Sequence, residues 1–248
     1  MVAVSWHQTG MGYQNAGQAE AAEDAYRNSL SLSVRLGDAA RQASTLTQLG
    51  NLYADLLHRP EEASAFFRQA VDMYFEMGDA ANEGLVRSNL ASALRKILRH
   101  DEARQEIRRA IECNAQFGHS AEPWTSWGVL GNIETEAGNL VAAAEAKGKA
   151  LAAYFAYRRD GGENHSGPGR LALDVTQSLR AGDPAKAATL LQQLAANPDA
   201  ASLLPFIRAL QAIVAGRRDR TLADAPELHY GMAAEILVLI ETLDAAGG

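Results

Sequence analysis

One cysteine, Cys113, occurs in 248 residues. No internal disulfide can form, and a small disulfide-framed secreted module is excluded. Basic residues are outnumbered, 23 Lys and Arg against 30 Asp and Glu, for a formal net charge of −7. A general affinity for phosphate backbones, which needs clustered positive charge, is not expected. Where arginines do gather (Arg104, Arg108 and Arg109; Arg217, Arg218 and Arg220), acidic neighbours or the lack of interleaved aromatics point to a solvated face rather than a nucleic-acid track. No apolar run approaches the roughly 20 residues that span a bilayer. Met1 to Trp6 is no basic stretch leading into an apolar one. The expectation is a cytoplasmic chain with no membrane and no nucleic-acid partner.

Motifs of catalysis are absent too. There is no G-x-x-x-x-G-K-[ST] phosphate loop, no G-x-S-x-G elbow and no H-E-x-x-H pair. None of the six histidines pairs with another at i+3 or i+4, and a zinc site needs about four converging ligands. His58 and His100 both fall in turns between helices and read as surface residues. Gly128 to Gly131 is glycine-rich but sits within a helical pattern. The reading is no enzyme, no cofactor and no metal.

What the chain does have is alanine, the best helix former, and a repeat. Leu49-Gly50-Asn51-Leu52-Tyr53 returns as Leu130-Gly131-Asn132-Ile133-Glu134, with Leu90-Ala91-Ser92-Ala93-Leu94 between and Thr9-Gly10-Met11-Gly12-Tyr13 before. The small residue at the centre stands at 10, 50, 91 and 131. A second small residue follows at Ala22, Ala63, Ala103 and Ala143, and four positions later come Tyr26, Phe67, Ile107 and the odd one out, Lys147. Each repeat runs toward a turn, at Gly37-Asp38, Gly78-Asp79 and Gly118-His119. Apolar and small residues recurring every third or fourth position mark helix faces. Two helices fit each period, and one such pair cannot bury its own apolar face, so the pairs must stack.

These residues resemble the tetratricopeptide repeat family, over roughly positions 3 to 157. Trp6 and Trp127 fit its Trp position, Leu49-Gly50 and Leu130-Gly131 its Leu-Gly pair, and Tyr13 and Tyr53 its first aromatic. The period is longer than that of the family's common form and is similar to Leu-Gly-Asn repeats, including those in arms of bacterial signalling proteins. The resemblance implies an all-α, right-handed superhelical solenoid of antiparallel helix pairs. The repeats are placed at about 3–37, 40–78, 81–118 and 121–158. A glycine-rich loop follows over 159–169, then a degenerate repeat and helical C-terminal cap over 170–248. Within the latter, helices are expected to about Ala196, from about Ala201 to Ala215, and from Met232 to Leu243.

The resemblance also implies a protein-binding scaffold whose first helices line a concave groove, as the sensor or adaptor part of a larger bacterial signalling protein. Groove positions are Thr47, Asn51, Asp55, Ser88, Asn89, Arg95, Lys96, Asn132, Thr135 and Glu136. Asn51, Asn89 and Asn132 could form a ladder along an extended peptide, since an amide both donates and accepts; bonding between helices is the alternative use. The lysines with which chaperone-binding members grip a terminal carboxylate are missing, so no such clamp is expected. A second reading places a small-molecule or enzymatic role in the 159–169 loop, around Glu163, Asn164 and His165, and in the C-terminal helices. A third has the chain self-associate through its first repeat, where Val2, Val4 and Trp6 would meet solvent, or continue a longer array.

Overall fold

In the computed structural model, backbone is described for residues 2–246 and side chains for 5–245. Every regular element among them is helical. The chain forms two compact units, residues 1–146 and 147–248, and the boundary falls inside one helix.

Unit 1 is a run of helix pairs: α1 (Val2–Asn15) with α2 (Ala19–Leu36), α3 (Ala39–Asp55) with α4 (Pro60–Met77), α5 (Ala80–Lys96) with α6 (His100–Asn114), and α7 (Pro123–Glu136) followed by the start of α8 (Leu140–Arg159). The side chains of Val2 and Val4, expected to meet solvent, lie outside the described residues; Trp6 is 40% exposed.

The turns between pairs explain the regularity. Gly37 and Gly78 close α2 and α4 in the left-handed conformation, φ 67° and 68°, which glycine adopts without strain. The very next residues, Asp38 and Asp79, cap α3 and α5 by accepting from the backbone N–H of Arg41 and Asn82, at 3.0 and 3.1 Å. A helix stop and a helix start thus share two adjacent residues, and the chain reverses sharply.

Inside each pair the turn also needs one left-handed residue. It is Gly17 and Gly138 in the first and fourth pairs, but His58 (φ 53°) and Leu98 (φ 60°) in the second and third. Leu98, not His100, is therefore the counterpart of His58. His100 instead opens α6, as Pro60 opens α4.

Helices within a pair close up by matching sizes. A Cβ built on Gly10 would lie 2.6 Å from the Tyr26 ring, and one on Gly50 only 2.4 Å from Phe67. In the third pair the same two places hold Ala91 and Ile107, both wholly buried. The smaller partner in the second helix leaves room for a methyl in the first. The core of unit 1 runs through these residues with Leu49, Leu52, Leu90, Leu94 and Ile133.

The third junction departs from the expected Gly118-His119 turn. α6 stops at Asn114, 15 residues long where α2 and α4 have 18. A 3-10 segment, Ala115–Ala121, follows before α7. His119 offers no aspartate cap after the glycine, and α7 starts instead at Pro123, behind a left-handed Glu122 (φ 45°).

Unit 2 has its own core of Val175, Leu191, Phe206, Ile207, Leu210, Ile213, Ile236, Leu239 and Ile240. It comprises the rest of α8, α9 (Gly167–Arg180), α10 (Pro184–Ala195), α11 (Leu204–Val214) and α12 (Tyr230–Ala246), with 3-10 turns at Pro198–Leu203 and Arg220–Ala223. The loop expected over 159–169 is shorter than that. Ser166 accepts from the Gly169 N–H at 3.2 Å, and Pro168 suits a first turn, so α9 already begins at Gly167. Likewise α11 starts at Leu204, later than expected. No described helix is long and apolar enough to cross a membrane.

Candidate functional site

In unit 1 the first helices of successive pairs touch one another, α1 with α3, α3 with α5 and α5 with α7. Three polar contacts recur along this layer, each between positions 38 apart. The His7 ring meets the Thr45 hydroxyl at 3.1 Å, the Asn89 amide donates to Asn51 Oδ1 at 3.2 Å, and the Ser88 and Ser126 hydroxyls lie 3.1 Å apart. Burial, helped by the charge of Arg41, holds the His7 imidazole below its ordinary pKa, so the neutral ring is favoured at this seam.

These contacts sort the sequence-derived groove residues. Thr47 is not on the surface: it is buried and donates back to the Ala43 carbonyl at 2.9 Å. Asn51 and Asn89 are half-buried and bonded to each other, the between-helix use of an amide. Ser88 also donates to Gly84, at 3.1 Å. Arg95 pairs with Glu136 of the next first helix, and Lys96 Nζ reaches the Ala54 carbonyl of the previous one at 3.4 Å. Thr135 is exposed at its edge but bonded to Gly131 O at 2.7 Å. Asp55 and Asn132 stand exposed. Of the three asparagines, Asn51 and Asn89 are thus joined to each other by one bond, and Asn132 stands apart from it.

Where the repeat signature fails, a second set of contacts explains it. Tyr53 donates to Glu23 at 2.7 Å, tying α3 to α2. At the matching position of the fourth pair stands Glu134, only 3% exposed at its side chain, gripped by Arg104 of α6 through two bonds of 2.7 and 3.0 Å and by Asn139 at 2.8 Å. The hydrogen bond from Arg104 outweighs burial and holds the Glu134 carboxyl below the usual range. The two contacts join positions at the same separation, 30 in each case; an ion pair has replaced a tyrosine–carboxylate bond.

The 160–166 loop of unit 2 is tied down by a structural charge pair. Glu235 is 2% exposed and accepts from Arg158 at 2.7 and 3.1 Å and from Asn164 at 2.8 Å. Arg158 also donates to the Gly162 carbonyl. Glu163 and His165 pair with each other at 2.9 Å, their side chains 76% and 84% exposed. They point into solvent and enclose nothing. Cys113 is buried, and burial followed by the nearby Glu83 charge pushes its thiol up, away from a reactive thiolate. No group of three or more His, Cys, Asp or Glu among the described residues is placed to hold a metal ion.

Residues that the sequence did not single out lie near Ser88 and Asn89: Leu85, Asn114, Phe117 and Val129 line a cavity with them. The one signal for it was the missing aspartate after Gly118.

Comparison with known proteins agrees with this architecture. Residues 1–74 match the tetratricopeptide repeat family. No curated protein sequence matches the chain. Among solved structures, BtubC (BKLC) from P. vanneervenii is similar at a TM-score of 0.57 and 19% identity, over 83% of this chain and 78% of that one. A Podosopora anserina putative kinesin light chain with nearly identical TPR-like repeats is similar at 0.56 and 17%, over 86% and 96%, and a variant form of it at 0.57. At such identities the likeness is one of fold. Residues 1–74 thus belong with the tetratricopeptide repeats, and the helix pairs that follow keep the same two-helix plan.

Proposed function

We propose that unit 1 binds an extended segment of a protein partner along the layer formed by α1, α3, α5 and α7, and that the chain acts as an adaptor without catalytic activity of its own. The observation that supports this is the division of labour on those helices. Their bonded polar groups fasten neighbouring pairs together, while Asp55, Asn132 and Thr135 remain exposed along the same helices. Tetratricopeptide repeats in general serve as protein-interaction scaffolds. The mixed charge of the layer, Asp55 and Glu136 beside Arg95 and Lys96, suits a segment of mixed character better than a free carboxylate terminus. The alternative centred on the 159–169 loop and the C-terminal helices draws no support from the loop's polar side chains, since Asn164 braces Glu235 and Glu163 and His165 stand in solvent.

The test is affinity capture from the native host with wild-type chain and an Asp55→Arg/Asn132→Arg variant. Both positions are exposed, so the fold should be kept, and circular dichroism checks it. A partner retained by wild type and lost by the folded variant supports the reading. Equal recovery would move binding to another face.

A further inference from the structure

The third junction does more than turn the chain. α6 ends early, and residues of the following Ala115–Ala121 segment line, with α5 and α7, an open-sided cavity of about 500 Å³. This size falls within the range of ligand pockets, about 300–1,000 Å³. At the first two junctions a glycine and an aspartate make the turn.

Four features of the cavity point to an occupant. Its walls are apolar at Leu85, Phe117 and Val129, and Leu85 and Phe117 are left 55% and 37% exposed. Its floor holds Asn114, 8% exposed, whose side-chain amide has no hydrogen-bond partner among the described residues. That amide lies so close to α5 that a Cβ on Gly84 would stand 2.2 Å from Oδ1. It is fixed in place by packing rather than by a bond. Its polar atoms are not sealed from solvent, so they are open to a ligand's hydrogen-bonding groups from the cavity side. Finally, Glu122 is the one charged residue of the lining, held at φ 45°, a conformation that costs a residue with a side chain roughly 1–2 kcal/mol. Strain of this kind gathers at binding sites.

Resting on the reading of unit 1 as a protein-binding surface, we propose that this cavity is the anchor site, seating an uncharged apolar side chain of the partner segment while the Asn114 amide bonds the backbone beside it. The lone carboxylate rejects acidic side chains, so selection is for Leu, Phe or Trp and against Asp or Glu.

Blocked tripeptides of the form acetyl-Gly-X-Gly-amide test this directly, titrated against the ¹⁵N-labelled full chain and read by amide chemical shifts. With X as Leu, Phe or Trp, saturable shifts are expected at Leu85, Asn114, Phe117 and Val129, and at least fivefold weaker ones with X as Asp. A Leu85→Glu variant, altered at a position already half in solvent, should keep the wild-type spectrum elsewhere and lose the response. Absence of saturable shifts at these residues for every X, or equal response to Leu and Asp, would overturn the proposal. Either result together with a groove-dependent partner in the capture experiment would leave the adaptor reading standing and remove only the anchor.

Discussion

Replacing Gly50 by alanine should destabilise the chain even though alanine is the better helix former. Two effects oppose each other. Removing a glycine from a helix interior gains about 1 kcal/mol. Against this, the new Cβ would stand 2.4 Å from the ring of Phe67, which is 1% exposed and hemmed in by the core. The ring must shift by roughly an ångström, and overpacking of this sort costs about 1–3 kcal/mol. With so large an overlap the upper end applies, leaving a net loss of about 2 kcal/mol. Phe67→Ile alone should also cost about 2 kcal/mol, less than the roughly 3–5 kcal/mol of a full truncation to alanine. The double variant recreates the Ala91 and Ile107 combination of the third pair, so the methyl enters space that the ring has vacated. It should lose only about 1 kcal/mol, a coupling of roughly 3 kcal/mol where independent sites would add. Urea unfolding of the full-length chain, followed by far-ultraviolet circular dichroism, ranks the four proteins by midpoint at unchanged slope. An additive double variant, or a Gly50→Ala protein more stable than wild type, would refute the size-matching argument.

Three further outcomes are expected. Because Arg104 depresses the Glu134 carboxyl, the stability it adds is complete above the unfolded value near ~4.3 and fades as pH falls through the lower folded value; the Tm gap between wild type and Glu134→Gln should be constant from about pH 5 to 8 and narrow in more acidic buffer, and a gap that ignores pH would contradict this. Leu98→Gly should raise stability by about 0.5–1 kcal/mol, since a 73%-exposed leucine held at φ 60° gives up more in strain, about 1–2 kcal/mol, than glycine costs in chain entropy; thermal unfolding checks the sign. Arg158→Met should cost about 3 kcal/mol or more by leaving the Glu235 carboxylate buried without its cation, and adding Glu235→Leu should restore most of it; a double variant no better than the single would show that packing, not charge, is lost.

Much of unit 1 was legible in the sequence because its signals are local. A glycine followed by aspartate at 37–38 and 78–79 is a stop and a cap whatever lies elsewhere, and both positions behave so. The small residues at 10, 50 and 91 could be read as close approach because a large residue follows each in the next helix, at 26, 67 and 107. The positive φ of His58 and Leu98 was hidden, since neither residue favours it; the repeat register imposes it. The pairing of Asn51 with Asn89 was also hidden. The two do not share a repeat position, and it is the stagger between neighbouring helices that brings them together. Gly118 misled for a physical reason: its φ is positive but its ψ of −137° is not the helix-closing conformation of Gly37 and Gly78, and with His119 in place of a capping aspartate nothing starts a helix there. The cavity lies beside this junction, lined in part by its residues.

The size-matched contacts join helices that are consecutive in the chain, Gly10 with Tyr26 and Gly50 with Phe67. Both halves of each fit therefore sit within a single repeat and would be copied together. A tandem duplication of one such stretch inherits the interior of its pair ready-made, and only the contacts between neighbouring pairs must be found anew. Drift within a copy is free to trade tyrosine for phenylalanine or isoleucine as long as its own opposite residue changes with it. The pairs along this chain differ in this way, a ring opposite glycine at 10 and 50 and isoleucine opposite alanine at 91, each fit complete within its own pair.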